Sequence, residues 1–289
     1  MLATRTGNFP IGFRQGWTDW QKDVNALVQF AKANQIGVID VGRDVESAKK
    51  VTAGGLKIGS ADLKEWGKLM SPDKGERSAA VEANAAWARD MALAGAKNLF
   101  LCMLPDKAER SRADNFKDLV ESLTALAPQL EKTGSRLCIE GYPGHGAIVC
   151  TPEGYRALFK AVPSHAVAIN YDPSHLVRMG IDPVRFLSEF ASRVAHVHGK
   201  DTEVMNDAVY EFGIEQPATF AEAHGFGAWT WRYAIPGHGQ VRWGKIFSIL
   251  KDAKYAGAVS IELEDEHFNG TPEGERTGII AGAQYLATV

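Results

Sequence analysis

Residues 168–201 read AINYDPSHLVRMGIDPVRFLSEFASRVAHVHGKD, and this stretch decides the fold. It predicts a strand, a helix and a second strand; the first strand runs out into Asp172 and the second contains His196 and His198. Side chains alternate along a strand, so Lys200 shares a face with both histidines if the strand continues that far. Carboxylate and imidazole groups at the carboxyl ends of two successive parallel strands indicate a functional site.

The rest of the chain repeats the same alternation of strand and helix. Strands are predicted at residues 8–13, 37–41, 56–59, 98–104, 136–140, 167–171, 194–198 and 258–262. Helices are predicted at residues 17–33, 45–53, 71–93, 114–132, from 151 onward, 183–190, 243–255 and 272–286, with an irregular segment at 62–70. Eight such repeats predict an α/β fold, a single (β/α)8 TIM barrel over residues 1–289. A long inserted loop is expected at about residues 202–236, and a loop of that length is more often functional than incidental.

Composition excludes several classes of protein. The length of 289 residues and the apolar share of 45% suit one large globular domain with a substantial core. The net charge of −3, with both signs interspersed, gives no reason to expect a nucleic-acid or membrane partner. No apolar run reaches the roughly 18 residues of a membrane span, and the N-terminus lacks the apolar core of a signal peptide. Three cysteines without metal-type spacing predict reduced, mostly buried thiols in a cytoplasmic protein.

Four ionisable residues end apolar strands in the second half of the chain: Glu140, Asp172, His198 and Glu262. The carboxyl ends of the strands are where TIM-barrel enzymes place their catalytic groups. Three carboxylates and one imidazole form a ligand set that suits Mn²⁺, Mg²⁺, Co²⁺ or Fe²⁺. They fit a zinc site built on thiolates less well. The spacing therefore predicts a shared metal site.

Each of these residues also has an ordinary structural interpretation. A glutamate that ends a strand can equally form a surface salt bridge, and Asp172, which precedes a proline, can cap a turn. For His196 a hydrogen-bonded support role is favoured over direct ligation, because His198 lies nearer the end of the strand.

Five segments carry a resemblance to a known family. They are IEGYPG (139–144), NYDPSHL (170–176), HVHGKD (196–201), PGHGQVRW (236–243) and SIELED (260–265). Together they resemble the xylose isomerase-like TIM-barrel superfamily of sugar and sugar-phosphate isomerases and epimerases. Its members include tagatose 3-epimerase, hydroxypyruvate isomerase, inosose dehydratase and, more remotely, endonuclease IV. The resemblance covers the chain from about residue 136 to its end, and the first half matches only as a generic barrel.

The resemblance implies roles for individual residues. The metal ligands of the family fall on Glu140, Asp172, His198 and Glu262, and the two glutamates also serve as the acid/base pair. His175 corresponds to a histidine that contacts substrate. The implied cofactor is a divalent metal ion, with Mn²⁺ as first choice and Mg²⁺, Co²⁺, Fe²⁺ or Zn²⁺ as alternatives.

Further residues are expected around this set. Lys200, Arg232 and His145 are candidates to contact substrate together with His175, and His196, Asp201 and His238 are candidates to support the ligands. Lys200 and His175 could equally be supports. In many relatives an acidic residue occupies the place of His238 in the Pro-Gly-x-Gly turn, which puts the role of that turn in doubt.

The expected function is a divalent-metal-dependent sugar or keto-sugar isomerase or epimerase. It would act by proton transfer through a metal-stabilised enediolate between Glu140 and Glu262. The alternative is a metal-dependent lyase or dehydratase that acts on an inosose or a 3-keto-glycoside. An endonuclease IV-like DNA-repair nuclease is a remote alternative, because its three-metal cluster needs additional histidines and this chain has none before His145. The expected partner is a small sugar or sugar derivative, and a homo-oligomer is compatible with the resemblance.

Overall fold

A computed structural model describes the whole chain, residues 1–289. Eight parallel strands close into one barrel with helices between them, which confirms the predicted (β/α)8 fold. The barrel strands are β1 (Ile11–Arg14), β2 (Val38–Val41), β3 (Lys57–Asp62), β4 (Asn98–Cys102), β5 (Arg136–Glu140), β6 (Val167–Tyr171), β7 (Val194–Gly199) and β10 (Val259–Ile261). Their order around the barrel is β1-β10-β7-β6-β5-β4-β3-β2. Two further strands, β8 (Asp201–Val204) and β9 (Trp231–Ala234), form a separate antiparallel pair.

Eleven helices accompany the strands. They are α1 (Asp19–Lys22), α2 (Val24–Ala33), α3 (Val45–Ala53), α4 (Lys74–Leu93), α5 (Arg112–Glu131), α6 (Pro152–Ala161), α7 (Pro173–Arg178), α8 (Pro183–Phe190), α9 (Asn206–Phe212), α10 (Trp243–Asp252) and α11 (Pro272–Thr288). Short 3-10 turns occupy Gly67–Met70 and Ala191–Arg193. None of the helices combines the length and the apolar character that crossing a membrane requires.

Two compact units divide the chain. Unit 1 comprises residues 1–38, 172–191 and 198–289, and unit 2 comprises residues 39–171 and 192–197.

Unit 2 contains a run of paired parallel strands. β4 pairs with β5, and β5 pairs with β6, in a register that sets Glu140 opposite Asn170. Every residue of β6 is buried, as expected for a parallel strand covered on both faces. Cys138 of β5, Ala168 of β6 and Ala195 of β7 form a buried apolar cluster.

Unit 1 contains β1 paired with β10 and the antiparallel pair β8–β9. Ile11 lies opposite Val259, and Phe13 lies opposite Ile261. Both Ile11 and Phe13 are fully buried. The β1–β10 pair therefore carries Arg14 and Glu262, the residues that end or follow these strands, to the same edge of the sheet.

Capping residues followed by proline fix the beginnings of several helices. Thr151, Asp182 and Thr271 cap α6, α8 and α11, and each precedes a proline at the first helical position. Proline is favoured there because its missing N–H needs no partner and its φ angle suits the helix. Asp172 and Pro173 begin α7 in the same way.

Several element boundaries differ from those predicted. The helix predicted at residues 17–33 is divided at Asp23, whose carboxylate caps α2. The helix predicted to begin at residue 71 begins at Lys74 and is capped by Asp73. α5 spans Arg112–Glu131, where residues 114–132 were predicted.

The segment predicted as a long loop contains regular structure. β8, α9 and β9 lie within residues 201–234, and Asp201 pairs with Ala234 at one end of the antiparallel ladder. Helix α7 was also not expected. β7 ends at Gly199, so the strand does not continue to Lys200, which lies between β7 and β8. Lys200 and His198 nevertheless both approach Oε2 of Glu262.

Candidate functional site

The four predicted ligands each lie at the carboxyl end of a barrel strand. Glu140 is the last residue of β5, Asp172 follows β6, His198 lies near the end of β7, and Glu262 follows β10. All but Glu262 are buried, and the Glu262 side chain is 13% exposed.

Asp172 uses its two carboxylate oxygens for different purposes. Oδ1 accepts a hydrogen bond from the backbone N–H of Ser174 at 2.9 Å and so caps α7. Oδ2 is buried, accepts no hydrogen bond, and lies 3.2 Å from Lys200 Nζ and 3.4 Å from His175 Nε2. Asp172 therefore both begins a helix and presents a carboxylate oxygen to Lys200 and His175.

Glu262 is surrounded by positive and imidazole groups. Oε1 lies 3.2 Å from Arg14 Nε, and Oε2 lies 3.3 Å from His198 Nδ1. Lys200 donates a short hydrogen bond to Oε2. Burial alone would raise the pKa of Glu262, but the charges of Lys200, His198 and Arg14 outweigh it and hold this pKa well below its usual range. Glu262 is therefore a carboxylate held in its ionised form.

Lys200 is 1% exposed and surrounded by carboxylates. Its ammonium group donates to Glu262 and, at 2.8 Å, to Glu264, and it lies 4.5 Å from the centre of the Tyr233 ring. A buried ammonium is stable only where opposite charges compensate it, and here Asp172, Glu262 and Glu264 do so. Lys200 thus joins the predicted site through ion pairs.

A cluster is formed by the side chains of Asp172, His175 and Glu262. Their carboxylate oxygens and imidazole nitrogen lie within 4.8 Å of one another. Oxygen and imidazole donors at this spacing could hold a divalent metal ion. This cluster is the arrangement of unit 1 that most resembles a metal centre.

Glu140 is held within unit 2. Its Oε2 accepts a hydrogen bond from Asn170 Nδ2 at 2.7 Å, and the Cys102 thiol lies 3.9 Å from its Oε1. Tyr155 donates to the carbonyl of Ile139 nearby; burial first, and then the charge of Glu140, raises the pKa of Tyr155 well above its usual range. The Asn170 contact fixes the orientation of the Glu140 carboxylate.

His196 lies against an aspartate from an early strand. Its Nε2 is 2.7 Å from Oδ2 of Asp40, and Oδ1 of Asp40 accepts from the backbone N–H of Ser60. Both side chains are fully buried. The arrangement suits the support role expected of His196 and assigns Asp40 as its partner.

Asp201 organises the loop between β9 and α10. Its carboxylate accepts from the backbone N–H groups of Thr202, Gly237 and Val241 and from the indole of Trp243. Burial raises the pKa of Asp201, and these hydrogen bonds partly offset the rise. Asp201 therefore holds the PGHGQVRW segment in place.

Arg232 lies among three carboxylates. It is 2.8 Å from Glu203, 3.1 Å from Asp265 and 3.9 Å from Glu266. Asp265 also accepts the backbone N–H of Ile235. These contacts fasten β8 and β9 to the segment after β10, and a substrate contact for Arg232 stays a prediction.

His145 and His238 are exposed. His238 lies beside the ring of Phe268 at 6.2 Å. The structure gives neither histidine a contact with the cluster, and their expected roles stay predictions.

Sequence reasoning missed several residues of the site. Arg14 and Glu264 had a usable signal: Arg14 ends β1, and Glu264 follows Glu262 at the strand period of two. Tyr233 and Asn170 gave no such signal, because their importance depends on partners that only the folded chain supplies.

Relatives of known sequence match part of the chain. The uncharacterized protein YfiH of Bacillus subtilis is 36% identical over 172 residues, which are 56% of this chain and 50% of that protein. An inosose dehydratase of Clostridium tetani is 28% identical over 159 residues, which are 55% of this chain and 50% of the enzyme. The chain thus spans about half the length of the curated relatives it matches.

Solved structures match the chain almost throughout. The crystal structure of 3-keto-D-glucoside 4-epimerase YcjR from E. coli superposes with a TM-score of 0.70 at 15% identity, covering 96% of this chain and 98% of the enzyme. At that identity the similarity concerns the fold. The model of the family described as xylose isomerase-like TIM barrel matches residues 10–289. The chain therefore belongs to the xylose isomerase-like TIM-barrel family.

Proposed function

We propose that the protein is a divalent-metal-dependent enzyme that isomerises or epimerises a sugar or keto-sugar by moving a proton beside its carbonyl group. The observation that carries this proposal is the Glu262 carboxylate, only 13% exposed and held by Lys200, His198 and Arg14. An ionised carboxylate can accept a proton from a carbon next to a carbonyl, provided that the carbonyl is polarised so that the C–H becomes more acidic.

The proposed metal ligands are Glu140, Asp172, His198 and Glu262. Asp172 Oδ2 supports this set, because it is a buried carboxylate oxygen that accepts no hydrogen bond and faces Lys200. Three carboxylates and one imidazole suit a hard or borderline divalent ion, with Mn²⁺ as first choice. Such an ion, when bound, would act as a Lewis acid on the substrate carbonyl and make the neighbouring C–H more acidic.

Strand register supports the inclusion of Glu140. Glu140 lies opposite Asn170 in the β5–β6 ladder and accepts its side-chain hydrogen bond. Asn170 and Asp172 are two residues apart, so the strand period assigns their side chains to one face. We infer that Glu140 extends the carboxylate set of Asp172 and Glu262.

Glu262 and Glu140 would share the proton transfer. Glu262, kept ionised by its cationic neighbours, would remove the proton, and Arg14 would hold its Oε1 in a fixed direction. Glu140 is the proposed second member of the acid/base pair and would deliver a proton. Return of the proton to the same carbon from the other side gives an epimer, and return to the neighbouring carbon gives an isomer.

A dehydratase or lyase is the second candidate, and Lys200 favours it. Its buried ammonium lies within hydrogen-bonding distance of Glu262 and Glu264 and could protonate a departing hydroxyl group next to the base. The inosose dehydratase of Clostridium tetani is one of the partial relatives. In this reading Glu262 removes the proton and Lys200 assists loss of the β-hydroxyl.

The deciding experiment uses protein reconstituted with Mn²⁺ and a panel of ketoses, keto-sugars and inososes in D₂O. Deuterium gained beside the carbonyl, with the mass otherwise unchanged, is expected for an isomerase or epimerase, and NMR identifies the carbon. Loss of water or of an aglycone, detected by mass spectrometry, supports the second candidate. Exchange on no substrate by protein that binds the metal contradicts both.

Glu262→Gln tests the assignment of the base, because the amide keeps the shape and removes the basic oxygen. We expect the rate to fall by at least about 100-fold, the effect of a lost general base. Glu273→Gln, at an exposed position in the first turn of α11, is the matched control and should leave the rate unchanged. A Glu262→Gln enzyme with near-normal turnover would show that another group is the base.

A further inference from the structure

The antiparallel pair β8–β9 brings Tyr233 against His175. The Tyr233 hydroxyl oxygen lies 2.6 Å from His175 Nδ1, and the two rings meet edge to face with centres 5.3 Å apart. The same hydroxyl lies 2.6 Å from Arg178 Nη1. Tyr233 and His175 are both buried.

We propose that Tyr233, held by Arg178, fixes His175 in the tautomer whose Nε2 carries the proton. His175 would then act as a hydrogen-bond donor to a substrate oxygen and not as a metal ligand, with Tyr233 and Arg178 as positioning residues. The donor role of His175 rests on the proposed function, whereas its tautomer does not.

The protons available at the Tyr233 oxygen determine the tautomer of His175. A guanidinium can only donate, so Arg178 donates to the Tyr233 oxygen. The phenol has one proton of its own, and His175 Nδ1 is the acceptor that its contacts supply. Nδ1 must then be without a proton, and a neutral imidazole that accepts at Nδ1 carries its proton on Nε2. If Nδ1 carried a proton instead, the buried phenol proton would lose this acceptor, at the cost of an unsatisfied buried donor.

The position of His175 Nε2 determines what this tautomer can bind. His175 Nε2 lies 3.4 Å from Asp172 Oδ2, on the side of the ring that faces the carboxylate cluster. A metal ion would need a lone pair on that nitrogen, and a protonated Nε2 has none to give. An oxygen of a bound sugar in the same place would instead receive a hydrogen bond.

The surroundings hold the tyrosine in this position. Arg178 stacks over Trp231 at 4.4 Å and over Tyr233 at 5.7 Å, and the two aromatic rings lie 5.0 Å apart. Burial raises the pKa of Tyr233, and the charges of Lys200 and Arg178 only partly offset this. The phenol therefore keeps the proton that it donates.

Histidine NMR on the metal-free protein tests the tautomer directly. Correlation of the ring ¹⁵N and ¹H resonances distinguishes the protonated from the bare nitrogen, and His175→Gln identifies the signals by their loss. We expect wild-type protein to show a bare Nδ1 and a protonated Nε2. In Tyr233→Phe the preference should weaken or reverse. Tyr210→Phe, at a tyrosine 91% exposed on α9, is the matched control and should leave the His175 signals unchanged.

Two results would overturn the proposal. One is a wild-type His175 with a proton on Nδ1; the other is a Tyr233→Phe spectrum identical to that of the wild type. If Tyr233→Phe does not fold, the wild-type spectrum alone still decides the tautomer. Because no substrate is needed, this measurement can succeed even if the proposed function fails.

Metal binding and kinetics test the consequence. If His175 is not a ligand, His175→Gln should bind Mn²⁺ with an affinity within about threefold of the wild type by calorimetry. A loss of tenfold or more would show that His175 ligates the metal. On a substrate that turns over, Tyr233→Phe should lower kcat by about tenfold or more with little change in KM, since a misdirected donor acts mainly in the transition state. An unchanged kcat would contradict the donor role and leave the tautomer standing.

Discussion

Asp172 shows how one side chain can serve the fold and the site together. Its Oδ1 caps α7 through the N–H of Ser174, while its Oδ2 faces Lys200 and His175. The sequence offers a second Asp-Pro pair for comparison: Asp182 caps α8 through the N–H groups of Val184 and Arg185. Asp182 has no part in the cluster. The two aspartates therefore allow helix capping to be tested apart from the proposed metal ligation.

The first prediction compares Asp172→Asn with Asp182→Asn. An asparagine oxygen can still cap a helix, so both variants should fold. In Asp172→Asn an amide group replaces the oxygen that faces Lys200, and we expect the affinity for Mn²⁺, measured by calorimetry, to fall by at least about 100-fold. Asp182→Asn should bind the metal as the wild type does. Equal affinities in the two variants would remove Asp172 from the ligand set.

Among the elements, α11 is fastened to the segment after β1 by one carboxylate. Glu275, in the first turn of α11, is 1% exposed and accepts hydrogen bonds at Oε2 from Thr18, Trp20 and Gln21. Burial would raise the pKa of Glu275, but these hydrogen bonds lower it below the ordinary value of 4.5. The segment that they hold also lines a small cavity of about 20 Å³ with Arg14 and Glu262.

Glu275→Gln should therefore destabilise the fold in a pH-dependent way. A carboxylate whose pKa is lowered in the folded state stabilises that state above its unfolded pKa, and the contribution is lost as the pH falls through the folded pKa. At pH 7 we expect the variant to lose about 1–3 kcal/mol of unfolding free energy. The difference from the wild type should shrink as the pH falls below about 4.5.

Urea unfolding at pH 7 and at several acidic values measures this difference. Glu273→Gln is the control: Glu273 lies in the same turn of α11, is exposed, and should change the unfolding free energy at no pH by more than about 0.5 kcal/mol. If Glu275→Gln lowers the free energy of unfolding by the same amount at every pH, the charge of Glu275 is not responsible for the loss.

The strands and helices differ in how well the sequence predicts them. Strands β5 and β6 were predicted with their observed bounds, because a short, mostly apolar run next to polar residues marks where a buried strand begins and ends. α7 was missed although Asp172-Pro173 repeats the cap of α8, because six residues are too few for helical periodicity. β8 and β9 were missed because four-residue strands depend on distant partners, above all those of Arg232.

For the whole molecule, barrel closure explains why the site residues are spread along the sequence. Arg14 and Glu262 come from opposite ends of the chain and meet because β1 pairs with β10. The strand ends predicted Glu262 as a site residue. The burial of Lys200 was not predictable, because it requires carboxylates from two other segments.

Metal binding should stabilise the whole fold, because a site shared by several strands exists only when the barrel is closed. A ligand that binds only the folded state at 100 times its Kd adds about 2.7 kcal/mol, which corresponds to a rise in Tm of roughly 5–10 °C for a domain of this size. We expect chelator-treated protein to show this rise on addition of Mn²⁺ in differential scanning calorimetry. Asp182→Asn should show the same rise, and Asp172→Asn and Glu262→Gln should show much less. If Mn²⁺, Mg²⁺, Co²⁺ and Zn²⁺ all leave the wild-type Tm unchanged at millimolar concentration, the metal-dependent mechanism is wrong.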